Sequence, residues 1–427
     1  MSQKSTSWET RERARLCKLS DELLQVGKNI QVLSLVGWPI SAKQAFFDAK
    51  AEKLPEVTYE PFEGKPARDA LNKLKTQLGD TPADNWMEQV CDILLTTIDM
   101  LDSRGTSGFF ENSKMLYGEP KALLKDEKTS ALDLARRYLE LLKPISKMDL
   151  GEPPEACILA STLAEEMRQV TSATFGNEAP EILVVEDLSA NALASAEKVR
   201  IRRTACFSDN DIKQLIEHEI YIHVATILNG RTEGNLSLLS LAHPGATKTQ
   251  EGLAVFAEYI TGTLDLDRMT RLADRVVAIQ MAIDGANFID VYRYFLERTN
   301  VPDQSYESTR RVFRGGVISG GAPFTKDIVY LDGLLRVHNF MKAAVNHGRA
   351  DAIQLLFAGR LDIEDLPTLS YLRSLGLCRR PRFLPKWASD LRFLLCYLSY
   401  SSFLNSIDMS KVYQHYHHLL SNVGEVY

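Results

Sequence analysis

Apolar side chains recur at helical spacing through the first part of the chain. Leu16, Leu19 and Leu23 lie three and four positions apart, and similar spacing runs through residues 86–101 and 130–142. Positions three and four apart share one face of an α-helix, and that face can be buried. The pattern therefore predicts a helical N-terminal region.

Strand signals are concentrated in the middle of the chain. Residues 182–185 form a short apolar run, and residues 199–202 alternate between apolar side chains and arginines. Such alternation is typical of a half-buried strand. The two segments, separated by residues 188–196, predict a small antiparallel sheet. The helical pattern returns from Asp209, so the predicted fold class is mainly helical α+β.

The residues Gly-Glu-Pro-Pro at 151–154 are the clearest break between helical patterns. We therefore divide the chain into a helical N-terminal region (1–150), a core (151–345) and a helical C-terminal region that packs on the core (346–427). A helix is predicted to begin at Pro154, because proline is tolerated in the first turn.

Composition narrows the class of protein. The 427 residues are 45% hydrophobic and 25% charged, as in a globular protein, and the net charge of -6 gives no electrostatic case for a nucleic-acid or membrane partner. No apolar signal-peptide core or stretch of about 20 apolar residues is present, so we expect a cytoplasmic protein. Six scattered cysteines without CxxC pairs predict reduced, mostly buried thiols.

The strongest single helix signal covers residues 209–228. Ser208 is a favourable N-cap, and Asp211 stands three positions later, as in a capping box. Isoleucines four apart define the stripe that we expect to be buried: Ile212, Ile216 and Ile220. The sequence His218-Glu219-x-x-x-His223 lies on this helix.

The spacing of the two histidines has a structural consequence. In the H-E-x-x-H pattern of zinc peptidases, both imidazoles lie on one helix face. His218 and His223 are one residue further apart, so on a regular α-helix they would point about 140° away from each other. A π-bulge would bring them together, and we predict one here. The alternative is that both are half-buried histidines hydrogen-bonded to neighbours.

A second helix is predicted to open near Thr247, which has capping-box spacing with Gln250. Glu251 would then lie in the first turn, and Gly252 beside it would let another backbone approach closely. Glu251 is therefore either a metal ligand or a carboxylate that the helix dipole stabilises.

Catalytic zinc sites usually have three protein ligands and an open position for water, and His-His-Glu is a known set. The sequence therefore predicts a zinc site formed by His218, His223 and Glu251. Glu258 lies seven positions after Glu251 on the same helix face. It is either a solvated side chain or a hydrogen-bond partner of a ligating imidazole.

Four segments carry a resemblance to a known family. They are residues 218–223, the Gln-Glu-Gly-Leu-Ala run at 250–254, and residues 311–316 and 323–330. The sequence is similar to proteins described in bacteria as flavohemoglobin expression-modulating QEGLA-motif proteins. Their eukaryotic relatives include microtubule-associated tyrosine carboxypeptidases.

The resemblance implies a zinc-peptidase core in which two helices carry the metal ligands His218, His223 and Glu251. It also implies that Glu219 is the catalytic glutamate. The implied reaction releases a C-terminal residue, often aromatic, from the tail of a protein or peptide.

The hypothesis is therefore metal-assisted hydrolysis by a carboxypeptidase, with Glu219 moving the proton from water to the leaving amine. Tyr330 is a candidate donor to the developing oxyanion. A carboxypeptidase also needs a cation for the terminal carboxylate, and Arg202, Arg314 and Lys326 are the candidates. Each of these four could instead be an ordinary surface or ion-paired residue.

The main alternative is a non-catalytic regulatory binding protein with a structural or vestigial zinc site. A structural site prefers four protein ligands. The only other nearby histidine is His243, and a glutamate directly after the first histidine has no purpose in such a site. An endopeptidase that cuts within chains is a further alternative.

Overall fold

The computed structural model describes residues 7–145, 148, 158–186, 188, 190–404 and 407–421. Helices dominate this part of the chain. They are α1 Ser7–Lys28, α2 Val32–Leu35, α3 Ile40–Asp48, α4 Lys65–Lys75, α5 Pro82–Asp102, α6 Ser107–Tyr117, α7 Ala131–Ile145, α8 Ala160–Phe175, α9 Asp209–Leu215, α10 Ala225–Gly230, α11 Pro244–Ile260, α12 Leu266–Ile283, α13 Phe288–Thr299, α14 Pro302–Phe313, α15 Val329–Asn346, α16 Asp351–Leu355, α17 Leu366–Ser374, α18 Lys386–Ser389, α19 Leu391–Leu404 and α20 Met409–Leu420.

The remaining regular elements are short. The strands are β1 Ile158–Leu159, β2 Glu181–Val185, β3 Ala192–Ala194, β4 Lys198–Arg202 and β5 Cys206–Phe207. Between α9 and α10 lies a π-helix, Ile216–Val224, which we call the π segment. The mainly helical α+β class is confirmed.

The helices predicted from apolar spacing are present as α1, α5 and α7. Local sequence fixes where α5 begins: Thr81 Oγ1 accepts a hydrogen bond from Asp84 N (3.2 Å), and an Asp84 carboxylate oxygen accepts one from Thr81 N (3.2 Å). Pro82 follows at the first helical position, where the missing N–H costs nothing.

The sheet differs from the prediction. Its order is β2-β4-β3, with β2 parallel to β4 and β3 antiparallel to β4. The predicted antiparallel pairing of residues 182–185 with residues 199–202 was therefore wrong. The intervening segment contributes a strand of its own, β3, which forms a hairpin with β4. That hairpin occupies the antiparallel position, so β2 pairs with the other edge of β4.

The buried apolar side chains form two clusters. The larger one combines residues from the N-terminal helices, from α11, α12 and α15, and from the C-terminal helices, as in Leu16, Leu253 and Leu398. The smaller one surrounds the sheet. Ile222 of the π segment packs in the larger cluster and Ile220 in the smaller, so the π segment lies between the two.

Two of the predicted features fall outside the described residues, namely the boundary at 150–151 and the helix start at Pro154. The second predicted boundary, at 345–346, coincides with the C-terminal end of α15. The division into three regions stays a prediction.

Helices α11 and α15 cross in backbone contact. A Cβ atom added to Gly252 would lie 2.2 Å from the carbonyl carbon of Gly333. One added to Gly333 would lie 2.3 Å from the backbone oxygen of Lys248. The close approach predicted at Gly252 is therefore confirmed. This contact fixes the position of the neighbouring Glu251 along α15.

The five cysteines in the described residues are free thiols, but only two of them are buried. Cys91 and Cys378 are inside, Cys17 is half-buried, and Cys206 and Cys396 are exposed. The expectation of mostly buried thiols was thus wrong, because Cys206 of β5 and Cys396 of α19 lie at the surface. In the described part of the chain, no helix has the length and apolarity to cross a bilayer.

Candidate metal centre and active site

One continuous helical run, α9 followed by the π segment and α10, carries both histidines. It begins as predicted: Asp211 N donates to Ser208 Oγ (3.2 Å), and Ser208 N donates to Asp211 Oδ2 (3.0 Å). The π segment starts at Ile216 and ends at Val224, so it includes both histidines. The predicted departure from a regular α-helix is confirmed.

The π segment turns the two imidazoles toward the same point. Their ring centroids are 4.9 Å apart. His218 Nε2 and His223 Nε2 each lie 3.5 Å from Glu251 Oε2. One ligand atom from each of the three residues falls within 4.8 Å of the others.

This donor set fits a zinc ion chemically. It offers two imidazole nitrogens and one carboxylate oxygen, which are borderline-soft and hard donors that zinc accepts together. The side chains of His218, His223 and Glu251 are only 7%, 12% and 16% exposed. Three converging, largely buried donors are thus available for one metal ion.

The start of α11 differs from the prediction. The helix begins at Pro244, with His243 as the residue before it, so the capping box of Thr247 with Gln250 was wrong. Proline at the first position starts the helix one turn earlier. Thr247 Oγ1 instead donates to the backbone oxygen of His243 (3.2 Å). Glu251 therefore lies in the second or third turn, where the helix dipole has little effect on it.

Glu258 is fully buried and saturated with donors. Its Oε1 is 2.7 Å from His218 Nδ1 and accepts a hydrogen bond from Gln214 Nε2 (2.8 Å). Arg268 donates to both carboxylate oxygens, each at 2.9 Å. Burial alone would raise the pKa of Glu258, but the Arg268 charge and these hydrogen bonds lower it to about 2.

The contact with Glu258 orients the first imidazole. Because Glu258 is ionised, His218 Nδ1 carries the proton and donates it, which leaves Nε2 facing Glu251. Burial would lower the pKa of His218, but the Glu251 and Glu258 carboxylates outweigh burial and raise it to about 10. A metal ion that binds here would therefore have to displace a proton.

Glu219 is also buried, and it faces the sheet. Its Oε2 accepts a hydrogen bond from the backbone N–H of Ala194 (3.1 Å). Ala194 is the last residue of β3, which is the edge strand of the described three-stranded sheet. The residue proposed to move protons is thus held at a sheet edge.

Of the predicted site residues, Lys326 lies beside Glu251, and Tyr330, the predicted oxyanion donor, lies beside Lys326. Lys326 Nζ is 3.7 Å from Glu251 Oε1 and 5.4 Å from the centre of the Tyr330 ring. Tyr330 is half-buried, and its hydroxyl is 3.4 Å from Arg311 Nη2. The structure therefore brings Lys326 and Tyr330 to the candidate metal centre.

The other two predicted residues have different surroundings. Arg314 is buried above the Phe324 ring, and within the described residues its Nε has no hydrogen-bond partner. Burial and the neighbouring Arg311 lower its pKa to about 10. Arg202 donates to Asn191 Oδ1 (2.8 Å), and in the described structure no hydrogen bond or ion pair joins it to the metal residues.

Several charged residues near the centre were missed from the sequence. Asp327 accepts hydrogen bonds from Arg311 at 2.5 and 2.9 Å, and Arg275 lies 3.8 Å from it. These arginines hold the pKa of Asp327 well below its usual range. Residues 311 and 327 both belong to motifs that carry the family resemblance, so those motifs were an available signal. Arg268 lies in neither motif.

The family model described as microtubule-associated tyrosine carboxypeptidase matches residues 44–406. The chain belongs to that family. A search of curated proteins finds no match. Among solved structures, a Colwellia psychrerythraea protein described as a lipoprotein is similar, with a TM-score of 0.40 and 14% sequence identity. The likeness covers 73% of this chain and 64% of that one, so the chain spans under two thirds of that structure's length.

The family assignment makes the chain a relative of carboxypeptidases. It agrees with the resemblance on which the sequence-based hypothesis rested. The motif residues 218–223 and 250–254 both lie within the matched range. They are also the segments that the fold brings together at one point.

Proposed function

We propose that the protein is a zinc-dependent carboxypeptidase that releases a C-terminal residue, in the first place an aromatic one, from a protein or peptide tail. The observation that carries this proposal is the convergence of His218, His223 and Glu251, with the separate carboxylate of Glu219 next to them. Membership of a carboxypeptidase family supports the reaction class.

In this proposal His218, His223 and Glu251 hold the metal. A zinc ion bound there would supply Lewis-acid polarisation of the scissile carbonyl and would make the attacking water more acidic. Glu219 accepts the proton of that water and returns it to the leaving amine. The hydrogen bond from Ala194 N holds one carboxylate oxygen of Glu219 and leaves the other to face the water.

The edge strand offers a way to align a peptide. Within the described sheet, β3 is paired with β4 on one side only. Residues 193 and 195 direct their backbone groups to β4, whereas the N–H of Ala194 points outward to Glu219. An extended peptide can add to such an edge through main-chain hydrogen bonds. We propose that the substrate tail lies along β3.

The remaining predicted residues keep proposed roles in substrate binding. Lys326 stands beside Glu251 and Tyr330 stands beside Lys326, so the tyrosine hydroxyl is the candidate donor to the developing oxyanion and the lysine is the adjacent cation. Arg314 and Arg202 would contact the substrate further from the reacting carbonyl.

The test combines metal content with product analysis. Purified protein should contain about one zinc per chain. Peptides that end in tyrosine should lose that single residue, as read by mass spectrometry. Glu219→Gln should reduce hydrolysis by about 10²–10⁴-fold and retain zinc, because the removed group is a proton acceptor and not a ligand.

A matched control is available two residues away. Glu217→Gln makes the same change two residues earlier in the π segment, and it should leave hydrolysis unchanged. Internal cleavage would favour an endopeptidase. Zinc binding without any hydrolysis that depends on Glu219 would favour the non-catalytic regulatory protein.

A further inference from the structure

Residues 359–363 lie across α11 next to the candidate metal centre. Gln250 Nε2 donates to the backbone oxygen of Gly359 (3.4 Å). Thr249 Oγ1 donates to Asp362 Oδ2 (2.9 Å) and accepts a hydrogen bond from the N–H of Ile363 (3.1 Å). Thr249 and Gln250 directly precede Glu251, so this segment is attached to the helix within one turn of the carboxylate.

The backbone of the segment is fixed from its other side as well. The N–H of Arg360 donates to the backbone oxygen of Leu239 (2.7 Å). A Cβ atom on Gly359 would lie 2.4 Å from that same oxygen, so the chain passes in close contact. Arg336 binds both carboxylate oxygens of Asp362 at 2.6 Å. Arg360 is therefore presented from a rigid support.

The Arg360 side chain differs from the other arginines around the centre. Arg268, Arg311 and Arg336 each bind a carboxylate with two donors. Within the described residues, the Arg360 guanidinium makes no ion pair and its buried Nε has no hydrogen-bond partner. Burial lowers its pKa to about 10, and the carboxylates that act against this are those of Glu251 and Glu219.

We infer that Arg360 binds the C-terminal carboxylate of the substrate. A planar guanidinium with free donors matches the two oxygens of a carboxylate. The terminal carboxylate of a carboxypeptidase substrate belongs to the residue that is released, so it lies about one residue length, ~4 Å, from the reacting carbonyl, and its anchor must stand just beyond it. The hydrogen bond from Gln250 to Gly359 places Arg360 on the segment next to Glu251, and its buried Nε is available to such an anion.

The other cations are less suited to that task. Lys326 already faces Glu251 and has a single ammonium in place of a fork. Arg314 is buried among Arg311, Asp327 and Tyr330, so its surroundings already include a carboxylate. The inference rests on the proposed function and names the residue that would make the enzyme an exopeptidase.

The test measures binding, so it does not depend on hydrolysis. A fluorescent peptide that ends in tyrosine is titrated in two forms, with a free and with an amidated C-terminus, into zinc-supplemented Glu219→Gln protein. The free form should bind at least about tenfold more tightly, because a charge-assisted hydrogen-bond pair is lost on amidation. Adding Arg360→Gln should remove this preference, and Arg360→Lys should retain part of it.

Control variants keep the result interpretable. Arg349→Gln removes an exposed arginine paired with Asp351 and should leave the preference intact. Arg360→Gln should unfold at a temperature no lower than the parent, because it removes a half-buried cation that makes no ion pair within the described residues. A preference that survives Arg360→Gln, or a parent with no preference, overturns the inference. Hydrolysis by the wild type, measured separately, reports on the proposed function alone.

Discussion

The two sides of the candidate metal centre differ in how their charges are satisfied. On the first side, Glu258 accepts hydrogen bonds from Gln214 and Arg268 and contacts His218. What we call the second side consists of Arg314, which is buried, and Arg360, which is half-buried; their buried Nε atoms lack partners within the described residues. Both sides consist of ionisable groups withdrawn from water, but only the first is internally complete.

The difference separates positioning from recognition. A saturated buried network is rigid, because any displacement would break several hydrogen bonds at once. It can therefore hold an imidazole at a fixed orientation. A buried cation without a partner costs stability, and it becomes favourable when an anionic ligand arrives. The first side is accordingly suited to hold a metal ligand, and the second to bind an anionic substrate group.

The largest effect is expected when one of the candidate metal ligands is removed. His223→Ala removes one of three donors, so zinc content should fall from about one per chain to near zero, and hydrolysis should fall with it. His347→Ala is the control, because that exposed histidine is hydrogen-bonded to the backbone oxygen of Ala343 and is not one of the converging donors. Elemental analysis after dialysis measures the zinc content of both variants. Full zinc retention in His223→Ala would remove this residue from the ligand set.

The next effect is expected on the saturated side. Glu258→Gln leaves the Arg268 charge buried without compensation, so zinc affinity should weaken by about 10–100-fold and unfolding free energy should fall by about 3 kcal/mol. Competition with a chelator and urea denaturation measure the two quantities. If Glu258→Gln unfolds with the same free energy as the wild type, the hydrogen-bond network around Glu258 is not rigid.

The low pKa of Glu258 also predicts how the stability of the protein changes with pH. The pKa of Glu258 is lowered to about 2 in the folded protein, so its contribution to stability is present above the ordinary glutamate pKa. That contribution should be lost as the pH falls from about 4 toward 2. In Glu258→Gln this part of the acid dependence should be absent.

The smallest effect is expected on the unsaturated side, with the opposite sign. Arg314→Met keeps the length and removes a buried cation, so unfolding free energy should stay equal or rise by about 1 kcal/mol, while peptide binding weakens. Urea denaturation of Arg314→Met and Glu258→Gln under the same conditions compares their free energies of unfolding directly. A large loss of stability in Arg314→Met would show that this side is also structurally complete.

What could be predicted from the sequence was local. The capping of α9 and the π segment depend on residues within one or two turns, so the spacing of Ser208, Asp211, His218 and His223 was sufficient. The convergence of His218, His223 and Glu251 was predicted by matching two local motifs to known chemistry; their role as metal ligands stays a proposal. The start of α11 was misjudged because Pro244 begins the helix before the capping residues proposed for it.

What could not be predicted depends on distant contacts. The pairing of β2 with β4 followed from β3, a short strand of small residues with little periodicity. Arg268 meets His218 only through Glu258, and Arg360 comes near the candidate metal centre only because residues 359–363 fold back over α11. No spacing rule relates residues that lie 50 to more than 100 positions apart.

The glycine contact between α11 and α15 has a consequence for how the protein can change over time. At both Gly252 and Gly333, an added methyl group would meet main-chain atoms rather than a side chain. A side-chain clash can be relieved by shrinking the neighbour, but a main-chain clash cannot. A mutation at either glycine therefore has no single compensating partner, and both positions should stay fixed in variants selected for activity while the surrounding apolar residues drift.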